Sequence, residues 1–426
     1  LALLPVAMAI TGCTSDAPPS TGYSSNPPAA LPAMPAAPSA PAGGRTTGAV
    51  ALLVPLTGDL APVGQALANA AKLAFADTSG PALDIRDTTG TPAGAAAAAQ
   101  AAIAAGDGLI LGPLTSAEAH AVAPLAQAGD VNVLAFTNDS SVAAPGIWTL
   151  GITPEEQVAR VVATAAAAGR TQLAALLPDS DFGHSLATAL QGETATLGDA
   201  SPSITFYQDG FNNLNQAVRD LSDYQNRGAG LDAQIKAAKD QDTPAGRAKA
   251  RALAHQPVPP PAFNALFIGA TTGEPLAEIA TFLPFYAVAA PQVQLLGPAL
   301  WANIAPAMGS NAAYVGALYA APDPAAAAAF DAKYQSVYGS APPAIADVAF
   351  DAAAIAHLAA GQGGYTSTVL TAPAGFSGTD GVLQLAPNGQ VQRGLAVFQI
   401  APGAPTIASP APASIAAPNR LPAPSS

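Results

Sequence analysis

The sequence predicts an α/β protein of two lobes, each a doubly wound, mainly parallel sheet with helices on both faces. Three observations carry this. Short apolar runs alternate with longer amphipathic stretches from residue 50 onward, an order that places successive strands in one parallel sheet with right-handed crossovers. The chain of 426 residues is 50% hydrophobic and can bury a large core. At about 150 residues per unit, it divides into about two lobes. Polar loops rich in Gly, Pro and Thr follow several apolar runs, where open α/β sheets place their ligand crevice.

Residues 50–54 (VALLV) read as the first strand, which stops at Pro55 because proline has no N–H to extend a ladder. Thr57, Gly58 and Asp59 supply a turn, and the spacing of Leu60, Val63, Leu67, Ala70, Ala71 and Ala74 predicts a helix. A second strand at 82–86, an Ala-rich helix at 92–105 and a third strand at 108–111 follow. That strand runs into Gly112-Pro113-Leu114-Thr115-Ser116, then a helix at 117–127 and a strand at 131–136. The free N–H groups at this helix start favour an anion such as a carboxylate, and Thr115 or Ser116 serves equally well as a simple N-cap.

Residues 148–152 lead into Thr153, Pro154 and Glu156, a cap, a first-turn proline and a third-position acid that start the next helix. A strand at 173–177 ends at Pro178, and Asp181-Phe182-Gly183 precedes a helix from His184. Residues 183–187 (GHSLA) nearly spell the G-x-S-x-G nucleophile elbow. An elbow needs strand, nucleophile and helix in immediate succession. Here residues 178–182 intervene and Ala187 stands at the final glycine. Phe182 either faces a cleft or packs on its own lobe.

A strand at 203–207 and a helix at 212–224 come next, and between 220 and 261 the composition shifts. Arg227, Lys236, Lys239, Arg247, Lys249 and Arg251 are mixed there with Asp223, Asp232, Asp240 and Asp242. This segment reads as a solvated helical hairpin or as a docking surface for a protein partner. A strand at 265–269 then enters Thr271-Thr272-Gly273-Glu274, whose acid either pairs with an ammonium group or complements the next helix dipole. Strands at 293–296 and 314–320, helices at 325–338 and 345–360, and a hairpin turning at Asn388-Gly389 complete the folded part.

Residues 1–10 (LALLPVAMAI) are too few to span a bilayer and read as the apolar core of a signal peptide over residues 1–12. Thr11 and Gly12 precede Cys13, the one cysteine of the chain, so ITGC resembles a lipobox whose cysteine is lipidated. Such an anchor carries more than one acyl chain, enough for stable membrane attachment. Thr14 rather than Asp after the cysteine implies sorting to the outer membrane, facing the periplasm of a bacterial envelope. Residues 13–47 then form a Pro/Ala-rich tether, and 403–426 a disordered tail.

A formal charge of −13 argues against a nucleic-acid partner, because phosphate binding needs clustered Lys and Arg in excess. His120, His184, His255 and His357 are scattered with no second ligand at metal spacing. Neither a Walker A loop nor a G-x-G-x-x-G after a strand is present, so no cofactor is expected and the chain reads as a non-enzyme.

Pieces of residues 48–402 resemble the type I periplasmic binding proteins, the leucine/isoleucine/valine-binding family. Pro55-Leu56-Thr57-Gly58, the Gly64-Gln65 pair, Gly112-Pro113-Leu114-Thr115-Ser116, Leu177-Pro178-Asp179 before Phe182-Gly183, Tyr338-Gly339 and Phe350-Asp351-Ala352 carry the likeness. The resemblance implies a cleft between lobe one (48–150 and 293–374) and lobe two (151–292 and 375–402). It places Thr57, Thr115, Ser116, Thr137, Asn138, Phe182, Thr272 and Glu274 on that cleft, with Phe136 and Asp139 departing from the pattern of the amino-acid binders. Two roles are implied. One is capture of a small amino-acid-like ligand for an ABC permease; the other is contact with a bifunctional penicillin-binding protein, as in the activator lipoproteins that stimulate peptidoglycan synthesis.

Overall fold

The computed structural model describes residues 43–76 and 80–415. The expected signal peptide, Cys13 with its lipid, tether residues 14–42 and tail residues 416–426 lie outside the described residues. The first sheet holds β1 (Val50–Val54), β2 (Leu83–Asp87), β3 (Leu109–Leu111), β4 (Asn132–Ala135) and β5 (Ile147–Thr149). Its order is β2-β1-β3-β4-β5, with every pairing parallel. The connecting helices are α1 (Ala61–Phe75), α2 (Pro92–Ala105) and α3 (Ser116–Ala128).

Strand pleat decides which core each residue joins. Val50, Leu52 and Val54 pack on the face with α1, whereas Ala51 and Leu53 pack on the face with α2 and α3. Both faces are covered, so β1 reads as continuous apolar sequence instead of an alternation. Each fully buried Leu or Val contributes about 1.5–3 kcal/mol.

Thr153 begins α4 (Pro154–Ala167) with a capping box through Glu156, as the sequence predicts. The second lobe continues with β6 (Leu173–Pro178), α5 (Asp181–Leu197), β7 (Ser203–Tyr207), α6 (Phe211–Leu221), α7 (Tyr224–Asp240), α8 (Pro244–Ala254), β8 (Ala265–Ile268) and α9 (Gly273–Phe285). After it come β9 (Gln294–Gly297), α10 (Ala305–Met308), β10 (Leu318–Ala321), α11 (Pro324–Tyr338), α12 (Ala346–Gly361) and α13 (Ser367–Leu370). The chain ends with β11 (Phe376–Gly378), β12 (Gly381–Leu385), β13 (Val391–Arg393), β14 (Ala396–Gln399) and β15 (Thr406–Ser409).

Both lobes use one device at their first crossover. Gly64 of α1 lies against the Pro55 carbonyl, and Gly183 of α5 lies against the Pro178 carbonyl. A Cβ at either position would overlap that oxygen, so the helix sits this close to its strand only through glycine.

Four expectations are corrected. Residues 293–321, expected in lobe one, supply β9 and β10 to a seven-stranded sheet ordered β15-β14-β10-β9-β8-β6-β7. A four-residue apolar strand carries no local mark of which sheet it will pair with. Residues 376–393, expected in lobe two, form a separate antiparallel sheet β11-β12-β13 whose Phe376, Leu383, Leu385 and Val391 join the core of the first lobe with α1 and α12. Residues 43–47, expected in the tether, are docked: Arg45 donates to the Ile103, Asp107 and Gly129 carbonyls, and its own carbonyl accepts from Tyr365 N–H. Within the expected disordered tail, β15 adds an antiparallel edge to β14, and Arg160 holds Ser409 and the Pro410 carbonyl.

Candidate functional site

Loops after β3, β4 and β5 and the start of α12 face the start of α5 and the loops after β9 and β10 across a cavity of about 520 Å³. Of the eight residues expected on the cleft, Thr115, Ser116, Thr137, Asn138 and Phe182 line it. Phe182 is half-buried, which settles its orientation toward the cavity as well as its packing on the second lobe. Thr57, Thr272 and Glu274 do not line it. Thr57 N–H, Thr57 Oγ1 and Leu56 N–H instead all donate to the Asp87 carboxylate, closing the β1 loop on the end of β2. Thr272 and Glu274 are exposed at the N-terminus of α9, where the acid complements the helix dipole.

The hydroxyls that would receive a ligand carboxylate are engaged. Thr115 forms a capping box with Glu118, its Oγ1 donating to Oε2 at 2.8 Å. Ser116 Oγ donates to the Asp139 carboxylate, which also accepts from Ser141 N–H and Oγ. Burial pushes Asp139 up, but these hydrogen bonds outweigh it and hold the carboxyl below the usual range. A negative group therefore sits where an anion would bind, and the helix start is filled from within the chain.

Further charge lies on the same first-lobe wall, from residues the sequence had not pointed to. Asp347 of α12 and Asp380 of the β11–β12 turn line the cavity, and among the described residues no Lys or Arg does. Behind them Arg393, almost fully buried, reaches Asp380 at 2.7 Å, Glu156 at 3.7 Å and the Leu150 carbonyl. Asp351 accepts Thr379 N–H at 2.8 Å beside the same guanidinium. One cation thus faces four carboxylates from α4, α12 and the small sheet. The available signal was Asp347 and Asp351, two acids one turn apart in the otherwise apolar run ADVAFDAAAIA. Among the described residues, no three His, Cys, Asp or Glu are placed to ligate a metal ion.

Burial raises Glu156 to about 7 against the pull of Arg393, and raises Asp351 to about 6. Burial and the neighbouring Asp380 carboxylate raise Asp347 to about 8. These groups resist ionisation when folded and ionise freely when unfolded. The cluster's contribution to stability is therefore greatest below about pH 4 and declines as pH rises toward 8. Asp347→Asn is expected to stabilise the chain at pH 8 by about 1 kcal/mol, a figure discounted for its partial exposure, and to change little at pH 4. Urea denaturation at both pH values reads this directly, and equal shifts at both would contradict it. Asp87 and Asp139 act in the opposite sense: held below the usual range, they lose stability as pH falls through their folded values.

Ser185 is not a poised nucleophile. It lies in the second turn of α5, which begins at Asp181 and not at His184, and its Oγ donates to the Asp181 carbonyl. His184 turns away to Asp179 and stacks near Phe206.

A comparison with curated proteins finds no significant match. Among solved structures, a protein described as a branched-chain amino acid ABC transporter from Rhodospirillum rubrum is similar at 18% identity and a TM-score of 0.64, over 85% of this chain and 100% of that one. The C-domain of LpoA from Haemophilus influenzae, a regulator of PBP1A, is similar at 18% identity and 0.60, over 84% and 99%. The leucine-binding protein LivK from Thermotoga maritima is similar at 18% identity and 0.51, over 86% and 99%. Against full-length LpoA the chain spans 59% of the length. At these identities the likenesses show a shared two-lobed fold. The sequence pattern described as periplasmic binding protein matches residues 48–405, and the chain belongs to that family.

Proposed function

We propose that this chain is a non-enzymatic envelope protein that acts by protein contact on a peptidoglycan synthase, in the manner of a penicillin-binding protein activator. It would be held by a lipid on Cys13 at the outer membrane and face the periplasm. The observation that carries this reading is the state of the cleft. Thr115 and Ser116 already serve Glu118 and Asp139, and among the described residues no cation lines the cavity, so an α-carboxylate has no electrostatic partner there. The likeness to the LpoA C-domain supplies a precedent on the same fold.

The second reading is a substrate-binding protein for an ABC importer of branched-chain or other amino acids. A cavity of about 520 Å³ with Thr137, Asn138 and Phe182 on its walls favours it. Capture of a purified bifunctional penicillin-binding protein by the full chain, with thermal shifts against an amino-acid panel run beside it, separates the two. The activator reading expects capture and no shift. A large stabilisation by one amino acid without capture would overturn it.

A further inference from the structure

The helices α7 and α8 form a self-contained hairpin. They pack on one another through Leu231, Ile235, Ala238, Ala250 and Leu253. Arg227 ties the base to the body by donating to the Pro259 and Tyr286 carbonyls, with its guanidinium over the Tyr224 ring.

Charge on this hairpin is reversed from the rest of the molecule. Residues 224–261 hold six cations and three acids, a net of +3, so the remainder of the chain carries −16. A mere solvated face would share the composition of its surroundings. Placement sharpens the contrast. At about 100° per residue, Lys236 and Lys239 lie to one side of the α7 seam, and Arg247 and Arg251 to one side of the α8 seam. Because the helices are antiparallel, those two sides are the same face of the hairpin. All four side chains are exposed. Arg247 pairs with exposed Asp242 at 2.9 Å, while Lys236, Lys239 and Arg251 have no ion pair or hydrogen bond among the described residues.

We propose that this basic face, Lys236, Lys239, Arg247 and Arg251, is a docking surface for an acidic surface of a protein partner. For the partner's identity alone it rests on the activator reading above. Complementary charge of this kind sets encounter rate and register more than raw affinity. Two features favour a protein over an anionic bilayer. Asp232, Asp240 and Asp242 are interleaved with the cations, which weakens the pull of a flat anionic bilayer, whereas a polypeptide can set its acids against the cations alone. No exposed large apolar side chain lies on the hairpin to enter lipid, among the described residues.

The test uses the full chain and the variant Lys236→Gln/Lys239→Gln/Arg247→Gln/Arg251→Gln, with far-ultraviolet circular dichroism and Tm confirming the fold. Each is titrated with poly-glutamate, with a purified bifunctional penicillin-binding protein and with phosphatidylglycerol vesicles, at low and high salt. The wild type is expected to bind poly-glutamate in a salt-dependent manner, and the variant roughly tenfold or more weakly. Equal poly-glutamate binding by both chains, or none by the wild type, overturns the docking surface. So does vesicle binding lost in the variant without a poly-glutamate effect, which assigns the face to the membrane. Should neither chain bind the synthase while the poly-glutamate difference stands, the activator reading fails and the acidic-protein surface survives. If the variant folds poorly, Lys236→Gln/Lys239→Gln alone carries the same comparison with about half the effect on a logarithmic scale.

Discussion

Arg393→Leu is expected to lower the unfolding free energy at pH 8 by about 3–5 kcal/mol, the usual result of removing one partner from a buried ion pair. The guanidinium faces Glu156, Asp347, Asp351 and Asp380, so the variant leaves four carboxylates beside one another with no counter-charge. It also removes the donor to the Leu150 carbonyl at the passage between the lobes. Burial disfavours the charge of Arg393 itself, and the surrounding carboxylates outweigh this and keep it protonated. The loss should shrink at pH 5, where much of the cluster takes up protons, and shrink again when Asp380→Asn is added. Urea denaturation of the single and double variants checks both points. A change below about 1 kcal/mol at pH 8 would mean that water relaxes into the cluster and screens it.

Trp148→Ala is expected to lower stability by about 3–5 kcal/mol. The indole is fully buried in the first core, and Nε1 donates to the Ala386 carbonyl at 2.7 Å. Ala386 lies in the loop joining β12 to β13, so this bond helps fasten the small sheet to the parallel strands. Trp148→Phe keeps most of the packing and loses this one hydrogen bond, while the carbonyl still accepts Gly389 N–H, so it is expected to cost only about 1 kcal/mol. Arg393 and Trp148 anchor the same sheet from its two ends. Their combined variant should therefore lose less than the sum of the singles. Full additivity would show that the sheet does not dock as a unit.

Local order in this protein was legible because its signals are local. Thr153, Pro154 and Glu156 mark a helix start by chemistry that acts over four residues, and the structure has that capping box. Gly339 closes α11 in the left-handed conformation that glycine tolerates, and Gly389 does the same in the hairpin turn. Assignment of strands to sheets was not legible. Residues 294–297 (QLLG) carry no local mark of their sheet, and which neighbour they pair with is decided by crossovers many residues away. The same limit explains the small sheet, whose alternating residues require a core without naming one.

At the site, the residue types on the β3 and β4 loops were readable, and five of the expected cleft residues line the cavity. What each hydroxyl does was not. Ser116 looks the same in sequence whether it awaits a carboxylate or already holds Asp139, 23 positions on. Asp347, Asp351 and Asp380 were missed because they become a cluster only when α12 meets the β11–β12 turn. Arg393 likewise reads as one exposed strand residue, and it is nearly inaccessible in the fold.

The central claim is the one proposed above, that this cleft does not hold an α-carboxylate as an amino-acid carrier would. Calorimetric titration of the full chain at pH 7 with leucine, isoleucine, valine and glutamate tests it most directly. No saturable heat is predicted for any of them, because the Thr115 and Ser116 hydroxyls are already engaged and, among the described residues, no Lys or Arg lines the cavity to pair with an α-carboxylate. Saturable binding of any one at micromolar affinity or tighter would contradict it.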